Sequence, residues 1–313
     1  MKKIGKLPLK DIFFGITSFS ASFLVLTLIF MIILVLYKES SLAIHKFGII
    51  NFILTQNWDP VKQIFGAAAP LFGTIVITIL SLTLAIPVAL GIAIFLAEVS
   101  PHFLKTPVGI AIEMLAAIPS IIYGMWGLFT LAPIMADYIE PAIQKTLGQI
   151  PLIGKIFEGN PQGIDLFTAS VVLSIMIIPF IASVSRDSLN LTPDLMKESA
   201  YALGATKWDV IKDVMIPYAK LGIYGGIVLA LGRALGETMA VAFVLGNRHE
   251  ITTSLFDAAA TITVTLANEF TEADSDIYLS SLFYLALILF VLSFVILAVA
   301  KFFLLKVERG YSR

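Results

Sequence analysis

Apolar residues in this chain come in long unbroken runs separated by shorter polar stretches. Six runs stand out, at roughly 12–37, 68–97, 108–133, 166–185, 219–245 and 278–305. Each holds at least 20 residues, enough for a helix rising about 1.5 Å per residue to cross about 30 Å of hydrocarbon. The alternating ten-residue segments of a membrane β-barrel do not occur. The pattern predicts an all-α polytopic membrane protein with six transmembrane helices. The first run follows Lys2, Lys3, Lys6 and Lys10, as a signal peptide would. It is far longer than the apolar stretch of such a peptide, so it is expected to stay as the first span.

Composition agrees. Of 313 residues 58% are apolar and only 14% charged, against about 25% charged in a soluble domain, and mean hydropathy is +0.94. There is no cysteine, which excludes disulfides, thiolate metal sites and thiol nucleophiles. His45, His102 and His249 are scattered, so neither a metal nor a cofactor is expected. A net charge of −1 gives no general attraction for nucleic acid. The distribution of charge says more. With the N-terminus inside, the inner segments carry 14 Lys or Arg and the outer ones 6. This asymmetry predicts a plasma-membrane protein with both termini in the cytoplasm.

The segments between spans differ. Residues 134–165, rich in Pro and Gly, read as an external loop with one short amphipathic helix. Residues 246–277 carry an apolar-faced stretch expected to lie on the outer surface or partly re-enter. Residues 186–218 form the one long inner loop and are built like two helices. Thr192 is placed to cap the first, followed by Pro193 and Asp194. Gly204 can take the left-handed conformation that ends it. Thr206 and Asp209 have capping-box spacing for the second, with Pro217 at its exit. The pair is either a hairpin lying on lipid headgroups or a knob for a soluble partner.

Charge inside the spans is scarce. Arg233 and Glu237 fall in the middle of span five, four residues apart, so on one helix they share a face and can pair. They form either an internal salt bridge or a charged station on a path. Gly232 and Gly236 give the same span a small-xxx-small surface. Glu113 sits near the inner end of span three, where it can snorkel to the interface. Pro87, Pro119 and Pro179 lie within spans two, three and four and are expected to bend them.

In the inner loop, Glu198-Ser199-Ala200, three residues, Gly204, nine residues and Val214-Met215-Ile216-Pro217 resemble the EAA loop of ABC importer permeases. Ser199, Val214 and Ile216 replace the usual Ala, Ile and Leu. The resemblance implies the type I importer permease fold, with Glu198, Ala200 and Gly204 contacting an ATP-binding subunit and Trp208 and Pro217 belonging to the same coupling element. EMLAAIPSIIYGMWGL (113–128), LGRALGETMAVAFVLGN (231–247) and SLFDAAATITVTLANEFTEA (254–273) are similar to the phosphate-specific branch of that family. That likeness implies a PstA-like second permease, a PstB-like ATP-binding dimer and an extracytoplasmic PstS-like phosphate-binding protein as partners, with phosphate passing Arg233 while Glu237 holds that side chain. The expected organisation is an N-terminal tail, first span and loop (1–67), a five-span core (68–305) with its coupling loop at 190–218, and a cytoplasmic tail (306–313). The chain has no phosphate-binding G-x-x-x-x-G-K-[ST] sequence, so an ATPase site, and enzyme activity as such, are not expected of it. The rival readings are a permease for sulfate or molybdate, and an autonomous ion-coupled transporter or channel.

Overall fold

A computed structural model describes residues 9–151 and 154–309. Lys2, Lys3, Lys6 and residues 310–313 of the expected C-terminal tail lie outside the described residues. The main helices are α1 (Leu9–Glu39), α2 (Ala68–Val99), α3 (His102–Ala116), α4 (Ser120–Gln149), α5 (Leu166–Asn190), α6 (Asp194–Ala202), α7 (Lys207–Leu235), α8 (Met239–Ala242), α9 (Ile262–Glu269) and α10 (Asp276–Arg309). No strand occurs among the described residues. Helices α1, α2, α4, α5, α7 and α10 are each long and apolar enough to cross a membrane.

Helix α5 is the pillar. It packs mainly against α2 and α7, and 61% of its apolar window is buried within the protein, against none of that of α1. Small residues bring the backbones close, where dispersion rather than water exclusion drives association. Ala85 and Ala89 of α2, Ala169 and Ala182 of α5, and Ala230 of α7 are fully or nearly fully buried in the central cluster. A Cβ on Gly222 would come within 1.8 Å of the Ser188 hydroxyl, and one on Gly226 within 3.1 Å of Val184. The close α5–α7 crossing therefore uses Gly222 and Gly226. The Gly232 and Gly236 pair does not take that role: a Cβ on Gly232 meets only Leu297 at 3.5 Å, and one on Gly236 meets nothing nearer than 3.8 Å. Helix α1 lies on the edge, joined to α10 where the Ser280 hydroxyl donates to the Glu39 carbonyl (2.6 Å) and accepts from the Ala43 amide (3.1 Å).

The prolines act differently from expectation. Pro87 and Pro179 lie inside continuous helices. Pro119 does not bend a helix but separates two: α3 ends at Ala116, Pro119 is extended (φ −57°, ψ 137°), and α4 begins at Ser120. Proline disfavours helical geometry at the residue before it and supplies no amide of its own. The expected third span at 108–133 is accordingly replaced by α4, which runs on through much of the expected external loop. It does so past Pro133 and Pro141 by π-helical turns at Gly127–Leu131 and Met135–Ile139. The other two π turns among the described residues, Phe95–Val99 and Val210–Met215, precede Pro101 and Pro217. All four end two residues before a proline. Widening the turn moves the preceding carbonyls away from the pyrrolidine ring, which would clash in a regular helix.

Of the alternatives for residues 246–277, burial favours partial re-entry: residues 259–265 are buried, while 246–253 and 267–276 keep exposed positions. Ile262, Thr263, Val264 and Thr265 of α9 are buried, the Ile262 amide donates to Thr74 Oγ1 (3.0 Å), and a Cβ on Gly73 would come within 2.0 Å of the Ala260 carbonyl. Helix α9 is wedged among the helix ends.

At that same end of the bundle, Glu140 of α4 and Asp165 before α5 are both fully buried. Asp165 caps α5 by accepting from the Thr168 amide (2.8 Å), while the Thr168 hydroxyl donates to Glu140 (3.2 Å). Burial and then the neighbouring Glu140 push the Asp165 carboxyl up to about 8. A raised acid keeps a proton in the folded state that the unfolded chain has released, so its contribution is complete at acid pH and fades as pH rises toward about 8. Amide exchange at the start of α5, corrected for intrinsic rates, should therefore accelerate as pH rises from the ordinary carboxylate range toward about 8 and level off above it. Asp165→Asn, which keeps the cap without the titration, should flatten that dependence; an unchanged profile would contradict the assignment.

Candidate functional site

Two groups of residues, one at each end of α7, form the candidate site. The first is the hairpin of α6 and the start of α7. Helix α6 follows Pro193, and no side chain caps it. Thr192 does not take the capping role its spacing suggests: its hydroxyl is buried and has no partner, because the extended Pro193 stands between it and the first helical turn. The chain turns at Gly204, whose φ of +88° favours glycine. The capping box then forms in full: the Thr206 amide donates to Asp209 Oδ2 (2.9 Å) and the Asp209 amide to Thr206 Oγ1 (3.3 Å). The second helix does not exit at Pro217. It passes through the π turn and Pro217 into the membrane-length part of α7.

One side of the hairpin is clamped to the bundle. Val210, Ile211 and Met215 pack with Ala93, Ala97 and Leu189, and Ala200 closes the edge of the cluster. Tyr201 donates to Glu98 (3.3 Å), and Lys197 lies 3.9 Å from the same carboxylate. The other side is bare and apolar. Leu195 is 75% exposed, Leu203 89% and Trp208 62%. Glu198 is exposed beside them, and a Cβ at Gly204 would meet nothing within 4 Å. Of the residues expected to couple, Glu198, Gly204 and Trp208 thus lie on the open face. Ala200 and Pro217 are half-buried.

The second group lies at the far end of α7. The helix stops at Leu235, and Glu237 sits in a non-helical break before α8. The expected Arg233–Glu237 pair does not form, because the two residues no longer share one helix face. Glu237 instead accepts from the Ala240 amide at the start of α8 (3.3 Å), and its carbonyl accepts from the Thr263 hydroxyl of α9 (2.6 Å). The Arg233 guanidinium lies over the Phe180 ring, 4.4 Å from its centre. Its Nε is buried without a hydrogen-bond partner, and none of the ion pairs among the described residues includes it. A desolvated cation on an aromatic face gains about 2 kcal/mol, and its fork of donors remains open to an oxyanion.

An ion-pair cluster that spacing did not reveal lies between these groups. Arg186 of α5 contacts Glu113 of α3 at 2.8 Å and Asp187 at 2.7 Å. Glu113 therefore pairs across helices rather than snorkelling alone. The partners are 73 residues apart, and their only sequence mark is an isolated acid in one apolar run and a base closing another.

Comparisons with known proteins fit this architecture. The profile described as "Binding-protein-dependent transport system inner membrane component" matches residues 89–309. The phosphate transport system permease protein PstC of Mesorhizobium japonicum is 48% identical over 97% of this chain and 93% of its own. The PstC of Haemophilus influenzae is 46% identical over 91% and 90%. The probable PstC of Methanocaldococcus jannaschii is 37% identical over 96% of each. These relatives are named as transport permeases. Among solved structures, an inward-facing form of the MetNI methionine ABC transporter aligns with TM-score 0.59 at 17% identity, covering 80% of this chain and 99% of that one. A second crystal form gives TM-score 0.53 at 18% identity, with 75% and 93% covered. At that identity the likeness concerns the fold, which is the type I importer permease fold.

Removing the hairpin cap gives a direct check of its local construction. Thr206→Ala should weaken the hairpin by about 1 kcal/mol, seen as faster amide exchange at residues 206–210 with α5 unaffected. Equal protection in both proteins would show that the capping box does not hold the turn.

Proposed function

Because the chain belongs to the family of binding-protein-dependent transport system inner membrane components and is a multi-pass membrane protein, we propose that it is the permease subunit of an ATP-driven phosphate importer. Permeases of such importers work with ATPase and substrate-binding partners. The finer assignment is a complex with a PstA-like second permease, a PstB-like ATP-binding dimer and an extracytoplasmic PstS-like phosphate-binding protein. Near-full-length identity to several PstC proteins supports phosphate as the substrate. The asymmetry of Lys and Arg supports cytoplasmic termini and a cytoplasmic hairpin. Residues 68–305 form the permease core, with residues 9–67 joined to its edge.

The observation that carries this reading is the continuity of α7. One helix carries Trp208 of the exposed apolar face in its first turn and, in its last, a guanidinium that has no ion pair among the described residues. The ATP-binding subunit grips Leu195, Leu203 and Trp208 around the tight turn at Gly204, and Glu198 lies at the rim of the contact. Closure of the nucleotide subunits pulls the hairpin, and α7 passes the displacement along its axis to Arg233. Phosphate delivered at the opposite face meets Arg233, which has no carboxylate to displace. Binding there is expected to be weak, since a permeant ion must also leave. Glu237 does not hold Arg233; it fixes the break that ends α7 and thereby the height at which Arg233 sits. Pro87, Pro119 and Pro179 shape α2, the α3–α4 joint and α5 around this path.

Two substitutions test the two ends. Arg233→Gln should reduce radiolabelled phosphate uptake to background with the complex still assembled and its ATPase still active; normal uptake would remove Arg233 from the path. Gly204→Trp should abolish co-purification of the ATP-binding subunit or uncouple ATP hydrolysis from uptake. Intact co-purification with ATP-driven uptake would exclude the hairpin as the docking element.

A further inference from the structure

We infer that Arg186, held by Glu113 and Asp187, is a gated second anion station on the hairpin side of Arg233, with the two carboxylates serving as the gate. This inference rests on the phosphate path proposed above. The two arginines are in opposite states. Arg233 has no ion pair and rests on Phe180 of α5. Arg186, six residues and about 9 Å further along α5, has both carboxylates within 2.8 Å. The Arg186 side chain is 17% exposed, whereas those of Glu113 and Asp187 are 56% and 65% exposed. The carboxylates thus face the open side and stand between it and the guanidinium. A doubly charged oxyanion and a carboxylate pair compete for the same donor fork. As long as the carboxylates hold it, Arg186 is closed to an ion leaving Arg233.

The carboxylate that moves is Glu113. Helix α3 is joined to its neighbours by non-helical segments on both sides, at Ser100–Pro101 and at Ala117–Pro119. Its Phe103, Ile110 and Met114 are exposed, at 75%, 52% and 67%. Its contact with Arg186 runs over Gly109, where a Cβ would lie 2.7 Å from Nη1. The guanidinium therefore lies against bare backbone, and a small shift of α3 separates Glu113 from it. Asp187 shares α5 with Arg186 and keeps its bonds to Nε (2.9 Å) and Nη2 (2.7 Å); the part that a shift of α3 frees is Nη1, now against Gly109, and the Nη2 donor now taken by Glu113. A displacement of α3 against α5 turns Arg186 from a closed ion pair into an anion receptor, and the reverse movement expels the anion by restoring the carboxylate.

The experiment uses the full complex in proteoliposomes loaded with radiolabelled phosphate, without ATP. Wild-type complex should retain the phosphate. Glu113→Gln combined with Asp187→Asn should release it several-fold faster, and adding Arg186→Gln should remove that leak. Retention equal to wild type in the double variant would overturn the gate. If the double variant does not assemble, Asp187→Asn alone, at an exposed position, should still show a smaller leak, and its absence would count equally against the proposal. A charge swap, Arg186→Glu with Glu113→Arg, restores a structural bridge but no receptor at position 186; restored uptake would reduce the cluster to a brace, and an assembled but inactive complex supports the station. Arg233→Gln distinguishes the two levels. If it transports normally, the proposed path fails; if it is inactive while the double variant stays tight, only the gate fails.

Discussion

In hydrocarbon a backbone amide or carbonyl without a partner costs several kcal/mol, and this constraint arranges the centre of the protein. Helix α7 ends at Leu235, inside the apolar segment. The break at 236–238 survives because α9 is wedged beside it. The Thr263 hydroxyl takes the Glu237 carbonyl, and the Glu237 carboxylate takes the Ala240 amide. Glu237 is thereby committed to the backbone. Arg233 keeps its charge, as arginine always does, but has only the face of Phe180 to offset it. An uncompensated cation is costly in a membrane. Here it is the consequence of a helix break that other parts of the fold hold open.

The same helix links that cation to the surface. The hairpin is not an appendage, since its second arm is the first two turns of α7. The π turn at Val210–Met215 carries the helix past Pro217 without ending it, and Gly222 and Gly226 press the following turns onto α5. A load applied at Trp208 thus reaches Arg233 through one rod guided by the central pillar. Helix α3, with a joint at each side, is the contrasting element: it is attached to that pillar by an ion pair and a glycine contact rather than by a deep apolar interface.

Much of this was legible from sequence, and the exceptions have common causes. Hydropathy located four of the six spans to within a turn or so at most ends, because length and polarity alone decide that question; span three is displaced outward, and the helix of span five starts earlier and ends sooner than its apolar run. Gly204 and the Thr206–Asp209 box were readable because caps are local. The errors cluster where an unbroken helix was assumed. Pairing Arg233 with Glu237 required regular geometry across Gly236, and bending span three at Pro119 required the helix to survive there. Extending α4 through Pro133 and Pro141 depends on π turns, for which hydropathy gives no sign. Thr192 failed as a cap because proline moved the first helical residue on by one. The Glu113–Arg186 contact joins residues brought together only by the packing of α3 on α5, and no spacing rule reaches across 73 positions.

The central claim is that the unpaired Arg233 guanidinium is where the permeating anion stops. The absence of cysteine in the chain allows a test free of background labelling from this subunit. A single Gly236→Cys, placed in the exposed break one turn beyond Arg233, would be labelled by a charged thiol reagent in the assembled complex during turnover. The account predicts that phosphate, but not chloride at equal ionic strength, slows the labelling, and that the protection disappears when Arg233 is also changed to Gln. Labelling at the same rate with and without phosphate would contradict it.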